Sequence, residues 1–182
     1  MNFKYETERL ILAAIDESYA DQVCEFYSNN AMDFAKSEPF TEDFYSVEKH
    51  RGILEAEVRL FMNGGMFRYW FMLKDEPNKL IGTASLKNFH RGSFMCCEVG
   101  YKMDMQYRRK GYCREALEKI LSEAEKEENM HRIYATALPD NEPSIGLLES
   151  LGFKRVGLIE DYAYINGVWR DHYYFSRVST LG

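Results

Sequence analysis

The sequence predicts a single α+β domain: a mixed, mostly antiparallel central sheet of about seven strands with about four helices on its faces. Three observations predict it. The chain has 182 residues, one domain's length, with 46% hydrophobic and 15% aromatic residues to fill a core. Strand-like runs and amphipathic helical runs follow one another as β, α, α, three β, α, β, α, two β. The three middle strand runs are consecutive and joined by turn-rich links, which reads as antiparallel pairing.

Glu8 to Ala14 is the opening strand, aliphatic and β-branched. Asp16 caps a helix over Glu17 to Ser28, with Tyr19, Ala20, Val23, Cys24 and Tyr27 on one face. Asn29 to Tyr45 reads as a loop with a marginal short helix. Ser46 to Met62 follows as a helix with an apolar stripe of Val47, Leu54, Val58, Phe61 and Met62, stopped by Asn63-Gly64-Gly65. Phe67 to Lys74 and Lys79 to Phe89 form a hairpin across Asp75-Glu76-Pro77-Asn78. A second turn, His90 to Ser93, leads into Phe94 to Met103. The next helix runs from Gly111 to about Glu128 and buries Cys113, Ala116, Leu117, Ile120, Leu121 and Ala124. Its acids Glu118, Glu123, Glu125, Glu127 and Glu128 are expected on a solvated face. Arg132 to Leu138 is a strand, Asn141 to Leu151 a short helix, and Phe153 to Glu160 and Val168 to Val178 are the closing strands.

Lys plus Arg number 23 against 29 Asp plus Glu, a net charge of −6. That balance argues against a general nucleic-acid or anionic-membrane binder. No apolar run approaches the ~18–20 residues of a membrane helix, and the N-terminal MNFKYETERL has no apolar signal-peptide core. Cys24, Cys96, Cys97 and Cys113 contain no CxxC pair, so neither a zinc site nor a disulfide framework is expected, and a reducing cytoplasm fits. His50, His90, His131 and His172 sit in unrelated elements, so no metal is expected. Trp70 and Trp169 read as packing residues.

The densest chemistry lies between a strand and a helix, from Gln106 to Ala116. Arg108, Arg109, Lys110 and Arg114 crowd this stretch of an acidic chain, and Gly111 permits a tight turn there. A helix N-terminus offers unpaired N–H groups and partial positive charge, which suits a phosphate. The same residues also read as an ordinary basic turn.

Arg108-x-x-Gly111-x-Cys113 resembles the acyl-CoA pyrophosphate loop of the GNAT N-acetyltransferases, with Cys113 where Gly or Ala is usual. Cys97-Glu98-Val99-Gly100-Tyr101 resembles the "AEIGY" strand of the branch that includes the ribosomal-protein N-terminal acetyltransferases. Asn141-x-x-Ser144-x-x-Leu147-Leu148-Glu149-Ser150-Leu151-Gly152-Phe153 resembles that branch's "NxxSxxLLExLGF". Thr7 to Leu12 and Ile165 to Asp171 resemble its first and last motifs, so the resemblance spans nearly the whole chain, read as one domain over 1–182.

The resemblance implies a GNAT-like fold, acetyl-CoA as co-substrate and direct acetyl transfer to a primary amine, on a protein N-terminus or a small molecule. It implies that Arg108, Arg109, Lys110, Gly111, Tyr112 and Cys113 hold the pyrophosphate, and that Val99, Tyr101, Met103 and Asn141 contact the pantetheine. An amine of pKa ~8–10 needs a base and the leaving thiolate needs a proton. Glu98 is the first candidate base, with Glu160, Asp161 and Asp171 as rivals. Many members place a tyrosine acid where this chain has Leu148; Ser144 matches the branch's serine and is the candidate donor, or simply a capping residue. The vacated tyrosine keeps open a second reading, an acyl-CoA-binding sensor with little turnover. The acceptor is expected between Asn29–Tyr45 and Asp161–Trp169, whose acids, such as Glu38 and Asp43, would attract an amine. Dimers are frequent in the resembled branch, which leaves a homodimer as the oligomeric expectation.

Overall fold

The computed structural model describes residues 1–179. It opens with a strand too short and polar to carry a readable period, β1 (Lys4–Glu6), antiparallel to β2 (Leu10–Ala13). The helices α1 (Ala20–Asn29), α2 (Ala31–Phe34) and α3 (Val47–Met62) follow. Next come β3 (Phe67–Leu73), β4 (Gly82–His90), β5 (Cys96–Met103) and α4 (Tyr112–Glu127). The chain closes with β6 (Arg132–Ala137), α5 (Glu142–Ser150), β7 (Lys154–Ile165) and β8 (Val168–Val178). The expected α+β mixed sheet is present, with β1 added to its strands; α2 is the short helix expected within Asn29–Tyr45.

The eight strands form one sheet in the order β1-β2-β3-β4-β5-β6-β8-β7. Only β5 and β6 pair in parallel, so α4 is the crossover such a pair requires. Helices α1 to α3 cover one face of the sheet, and α4 and α5 cover the other. Strand β3 shows why both faces are buried. Phe67, Tyr69, Phe71 and Leu73 face α4, while Trp70 and Met72 face α1 and α3. Fully burying such a side chain contributes about 1.5–3 kcal/mol.

Local chemistry sets the helix starts. The Lys49 N–H donates to Ser46 Oγ at 3.3 Å at the start of α3, and the Ser144 N–H donates to Asn141 Oδ1 at 3.3 Å at the start of α5. Two expectations need correction. Phe94 is 73% exposed and lies outside β5, so the strand expected from Phe94 begins at Cys96. Of the α4 acids expected on a solvated face, Glu118 and Glu127 are exposed, but Glu125 is buried, with Oε1 3.1 Å from Arg177 Nη2. Glu127 and Glu128 lie 2.9 and 3.1 Å from the Met1 ammonium.

Candidate active site

Strands β5 and β6 stay in register only at Cys96↔Arg132, Cys97↔Ile133 and Glu98↔Tyr134. Beyond Glu98 the two strands part while β5 continues to Met103. The Asp104 N–H donates to the Ile81 carbonyl at 3.0 Å and continues the β4 register, so even-numbered residues of β5 turn their main-chain groups toward β4. Val99, Tyr101 and Met103 turn theirs toward the opening that β6 has left. An extended ligand can lie there as an extra strand, bonded by main-chain groups. The Met103 carbonyl already accepts from Arg108 Nε at 3.1 Å.

At the end of this opening the chain forms a basic loop. Arg109 and Gly111 have φ of 58° and 82°, and Gly111 is the N-cap of α4. The left-handed geometry exposes the first-turn N–H groups of Tyr112, Cys113 and Arg114, which find no acceptor among the described residues. The four cations are not equivalent. Arg108 is held by Asp33 and the Met103 carbonyl, and Arg114 Nε donates to Glu118 at 2.9 Å. Lys110 Nζ lies 5.1 Å from the Tyr107 ring, and Arg109 has no ion-pair partner among the described residues. Arg108 therefore braces the loop, and Arg109 and Lys110 remain for a ligand. Arg108 also holds the Asp33 carboxyl below its usual range, against burial, which raises it. Cys113 packs on the core, and burial pushes its thiol up to about 12, so it is not a thiolate nucleophile.

Sequence reasoning missed Arg9. Its Nη1 donates to the Lys110 carbonyl at 2.9 Å, its Nε to Glu115 at 2.6 Å, and its guanidinium stacks 4.6 Å from the Tyr112 ring. Arg9 thus fastens the phosphate-side loop to the start of β2. The only available signal was its place in the opening motif.

Across the opening, Tyr101 Oη lies 2.7 Å from Ser144 Oγ. Burial raises the Tyr101 phenol well above its ordinary value, with the Ser144 hydrogen bond acting against it, so the hydroxyl keeps its proton. Asn141 caps α5 and thereby sets Ser144. Leu148 is fully buried on the same helix and faces the core, not the opening.

Glu98 is on the other face of β5, with Gly100 and Lys102. A bulge in β4 between Lys87 and His90 puts Asn88 at φ 54°, and Asn88 Nδ2 donates to Glu98 Oε2 at 2.7 Å. Lys87 Nζ lies 3.6 Å from Glu98 Oε1. Burial first, and then the nearby Glu98 carboxylate, push the Tyr134 phenol up to about 12. The rivals lie farther along the closing strands: Asp171 Oδ1 accepts from the Asp161 N–H at 2.9 Å, and Glu160 is exposed on β7. Two acceptor-side acids are engaged, Glu38 with Lys102 and Asp43 with Lys49 at 2.9 Å. Trp70 packs in the core as expected, but Trp169 is 57% exposed beside Tyr164.

A cavity of about 190 Å³ opens on this same face. Gly100, Ser85 and Thr83 form its floor, aromatic side chains of α1, α3 and the α2–α3 connection form its walls, and Arg68 reaches into it. Among the described residues no group of three His, Cys, Asp or Glu is arranged to hold a metal. No described helix is long and apolar enough to cross a membrane.

Residues 9–154 match the acetyltransferase (GNAT) domain. The chain is 29% identical over 166 residues to the [ribosomal protein uS5]-alanine N-acetyltransferase of Escherichia coli (strain K12), covering 91% of this chain and 86% of that one. It is 31% identical over 171 residues to the N-acetyltransferase p20 of Bacillus licheniformis, covering 93% of each. The crystal structure of ribosomal-protein-S5-alanine acetyltransferase from Vibrio fischeri superposes with a TM-score of 0.93 at 32% identity, over 99% of this chain and 98% of that one. Mycobacterium smegmatis RimJ, solved with CoA-disulfide, has the same fold at 23% identity and a TM-score of 0.87, over 93% of this chain and 82% of that one.

Proposed function

Because the chain belongs to the acetyltransferase (GNAT) domain family, we propose that it acetylates the amine of a protein N-terminus, using the residues gathered where β5 and β6 part. It is an acetyl-CoA-dependent N-acetyltransferase. Acetyl-CoA supplies the acetyl thioester. The opening fits its pantetheine arm, and the N-terminus of α4 with Arg109 and Lys110 fits its pyrophosphate.

The residues divide the work as follows. Main-chain groups of Val99, Tyr101 and Met103 align the arm, Asn141 holds it from the start of α5, and Gly111, Tyr112 and Cys113 offer N–H groups to the phosphates. Arg108 braces this loop. Glu98, held by Asn88 and Lys87, takes a proton from the acceptor ammonium, directly or through water. The Tyr101–Ser144 hydroxyl pair gives a proton to the departing thiolate sulfur. The 2.7 Å contact of that pair carries this reading, because it fills the proton-donor role that Leu148 leaves empty. It favours turnover over the sensor alternative.

The N-terminal acceptor is carried over from the alanine named in the two S5-type relatives; a small-molecule amine is the alternative acceptor. The four cysteines are unbridged, which suits the reducing cytoplasm where we place the protein. A homodimer belongs to the same proposal, and the exposed outer strand β7 is the surface for it. The test supplies acetyl-CoA with N-terminal peptides and with small amines and follows release of free thiol. Release with peptides supports the reading. Release with small amines alone overturns the acceptor, and none with any amine overturns the chemistry.

A further inference from the structure

The stretch from Asn30 to Glu38, which contains α2, grips the end of β5 and the turn after it. Asn30 is 3% exposed; its Oδ1 accepts from the Met105 N–H at 3.1 Å, and its Nδ2 donates to the Phe26 carbonyl at 2.9 Å. One turn on, the half-buried Asp33 accepts from Arg108 Nη2 at Oδ2, and the exposed Lys36 ammonium lies 3.4 Å from Oδ1. Glu38 pairs with Lys102, whose ammonium sits 5.4 and 5.6 Å from the Phe34 and Phe40 rings. From the other side, Asn166 in the β7–β8 turn donates to the Ala35 carbonyl at 2.8 Å.

These contacts join two parts of the site that the sheet keeps apart. Glu38 and Phe40 line the cavity, and so does Lys87, which lies 3.6 Å from Glu98 on the same face. Arg108 opens the basic loop on the cofactor side, and its Nε holds the Met103 carbonyl, which is turned to the opening. The Asp33–Arg108 pair joins the stretch to that loop.

We infer that Asp33 is a positioning residue that makes the acceptor side depend on the bound cofactor. The cofactor's pyrophosphate needs the loop's N–H groups held in place, so it binds better when Arg108 is fixed than when Arg108 is free. A ligand shifts an equilibrium by its difference in affinity for the two states. Acetyl-CoA therefore draws the stretch onto Arg108 and sets the cavity wall at Glu38 and Phe40 for the amine. The coupling is reciprocal: a seated acceptor tightens acetyl-CoA by the same factor. Asp33 acts through Arg108 and not on the reacting atoms. The inference rests on the division of the site proposed above, cofactor in the opening and amine at Glu98, and not on which amine is acetylated.

The test reads hydrogen exchange over residues 30–38 with and without saturating acetyl-CoA, and with no acceptor present. In the wild type, acetyl-CoA is expected to slow exchange there by about fivefold, the lower end of ordinary coupling between sites. In Asp33→Asn acetyl-CoA still binds but the slowing falls below about twofold, while Asp33→Glu, which keeps the carboxylate, retains it. The ratio is internal to each preparation, and a merely structural loss would speed exchange in both states alike. With whichever amine turns over, Asp33→Asn is expected to raise the KM of that amine about fivefold with kcat little changed. Four results would each overturn the inference and leave the acceptor reading standing: equal exchange with and without acetyl-CoA in the wild type, slowing retained in Asp33→Asn, slowing lost in Asp33→Glu as well, or an unchanged KM. Loss of acetyl-CoA binding in Asp33→Asn would also overturn it, by placing Asp33 in the cofactor site itself. No turnover with any amine overturns the chemistry instead, and the exchange ratio still decides the coupling.

Discussion

Tyr101 and Ser144 place two hydroxyls where the pattern of the chain shows an empty position. Each can pass a proton to a departing sulfur, and burial raises the phenol, favouring its protonated form. Ser144→Ala and Tyr101→Phe are both expected to lower kcat by about 10²-fold with KM for acetyl-CoA little changed. An unaltered kcat in both would return Ser144 to a capping role. Glu98→Gln is expected to cut kcat/KM most at neutral pH, with the gap to wild type narrowing as pH approaches the ~8 of an α-amine and the free base becomes abundant. A gap constant across that range would remove Glu98 as the base. Gly111 is constrained in two ways: its φ is 82°, and a Cβ there would lie 3.2 Å from Arg9 Nη2. Gly111→Glu is therefore expected to abolish acetyl-CoA binding in calorimetry, and undiminished affinity would refute the phosphate loop.

At the scale of elements, the start of β2 is clasped to α4 through one carboxylate. Burial raises the Glu115 carboxyl, but the Thr7 hydroxyl, the Arg9 N–H and the Arg9 guanidinium outweigh it and hold the carboxyl below its usual range. A depressed folded value means the clasp contributes stability above the unfolded carboxylate pKa of ~4.3 and loses it as pH falls below that. Glu115→Gln should lower Tm at pH 7 and bring it closer to wild type at pH 3, and parallel Tm curves would disprove the clasp. Helix α5 carries Leu148 at no measurable exposure. Leu148→Tyr is expected to overpack the core by about 1–3 kcal/mol without raising turnover, because that position points away from the opening. A faster enzyme from this change would contradict the helix orientation.

On the scale of the whole molecule, the sheet is continuous except where β5 and β6 separate, and the two ligand-facing regions lie on opposite sides of that gap. The phosphate-side loop, Ser144 and the side chains of Val99 and Tyr101 lie on the α4 side; Glu98 and the cavity lie on the α1/α3 side. The −6 net charge averages over this division. Most acids are engaged: those of α4 hold the N-terminus and β8, and those near the cavity balance Lys102 and Arg68. The outer edge of β7 carries Lys154 and Arg155 before Gly157–Leu158 and Glu160 and Asp161 after it. Two antiparallel copies about that centre would set cations against acids. Sedimentation is expected to show a dimer that Lys154→Glu weakens and the added Asp161→Lys restores; a monomer in the wild type would overturn it.

Most of the fold was legible because long runs with a clear period report which side is buried. β1 was not, since an element of three residues carries no period, and α2, four residues long, was legible only as a marginal helix within the Asn29–Tyr45 loop. The cofactor-side loop was equally legible, because its glycine, cations and helix start are adjacent in the chain. By itself, then, the sequence determined the class of fold, the order of its elements and the basic turn before α4, all properties of local spacing. Only the tertiary structure decided which cations stay free, that Tyr101 meets Ser144, that Arg9 joins the loop, and that Arg68 stands in a cavity below Glu98. Those depend on residues distant in the chain, and on a parting of two strands whose individual sequences are ordinary. Pairing across the sheet, not periodicity along the chain, sets such contacts.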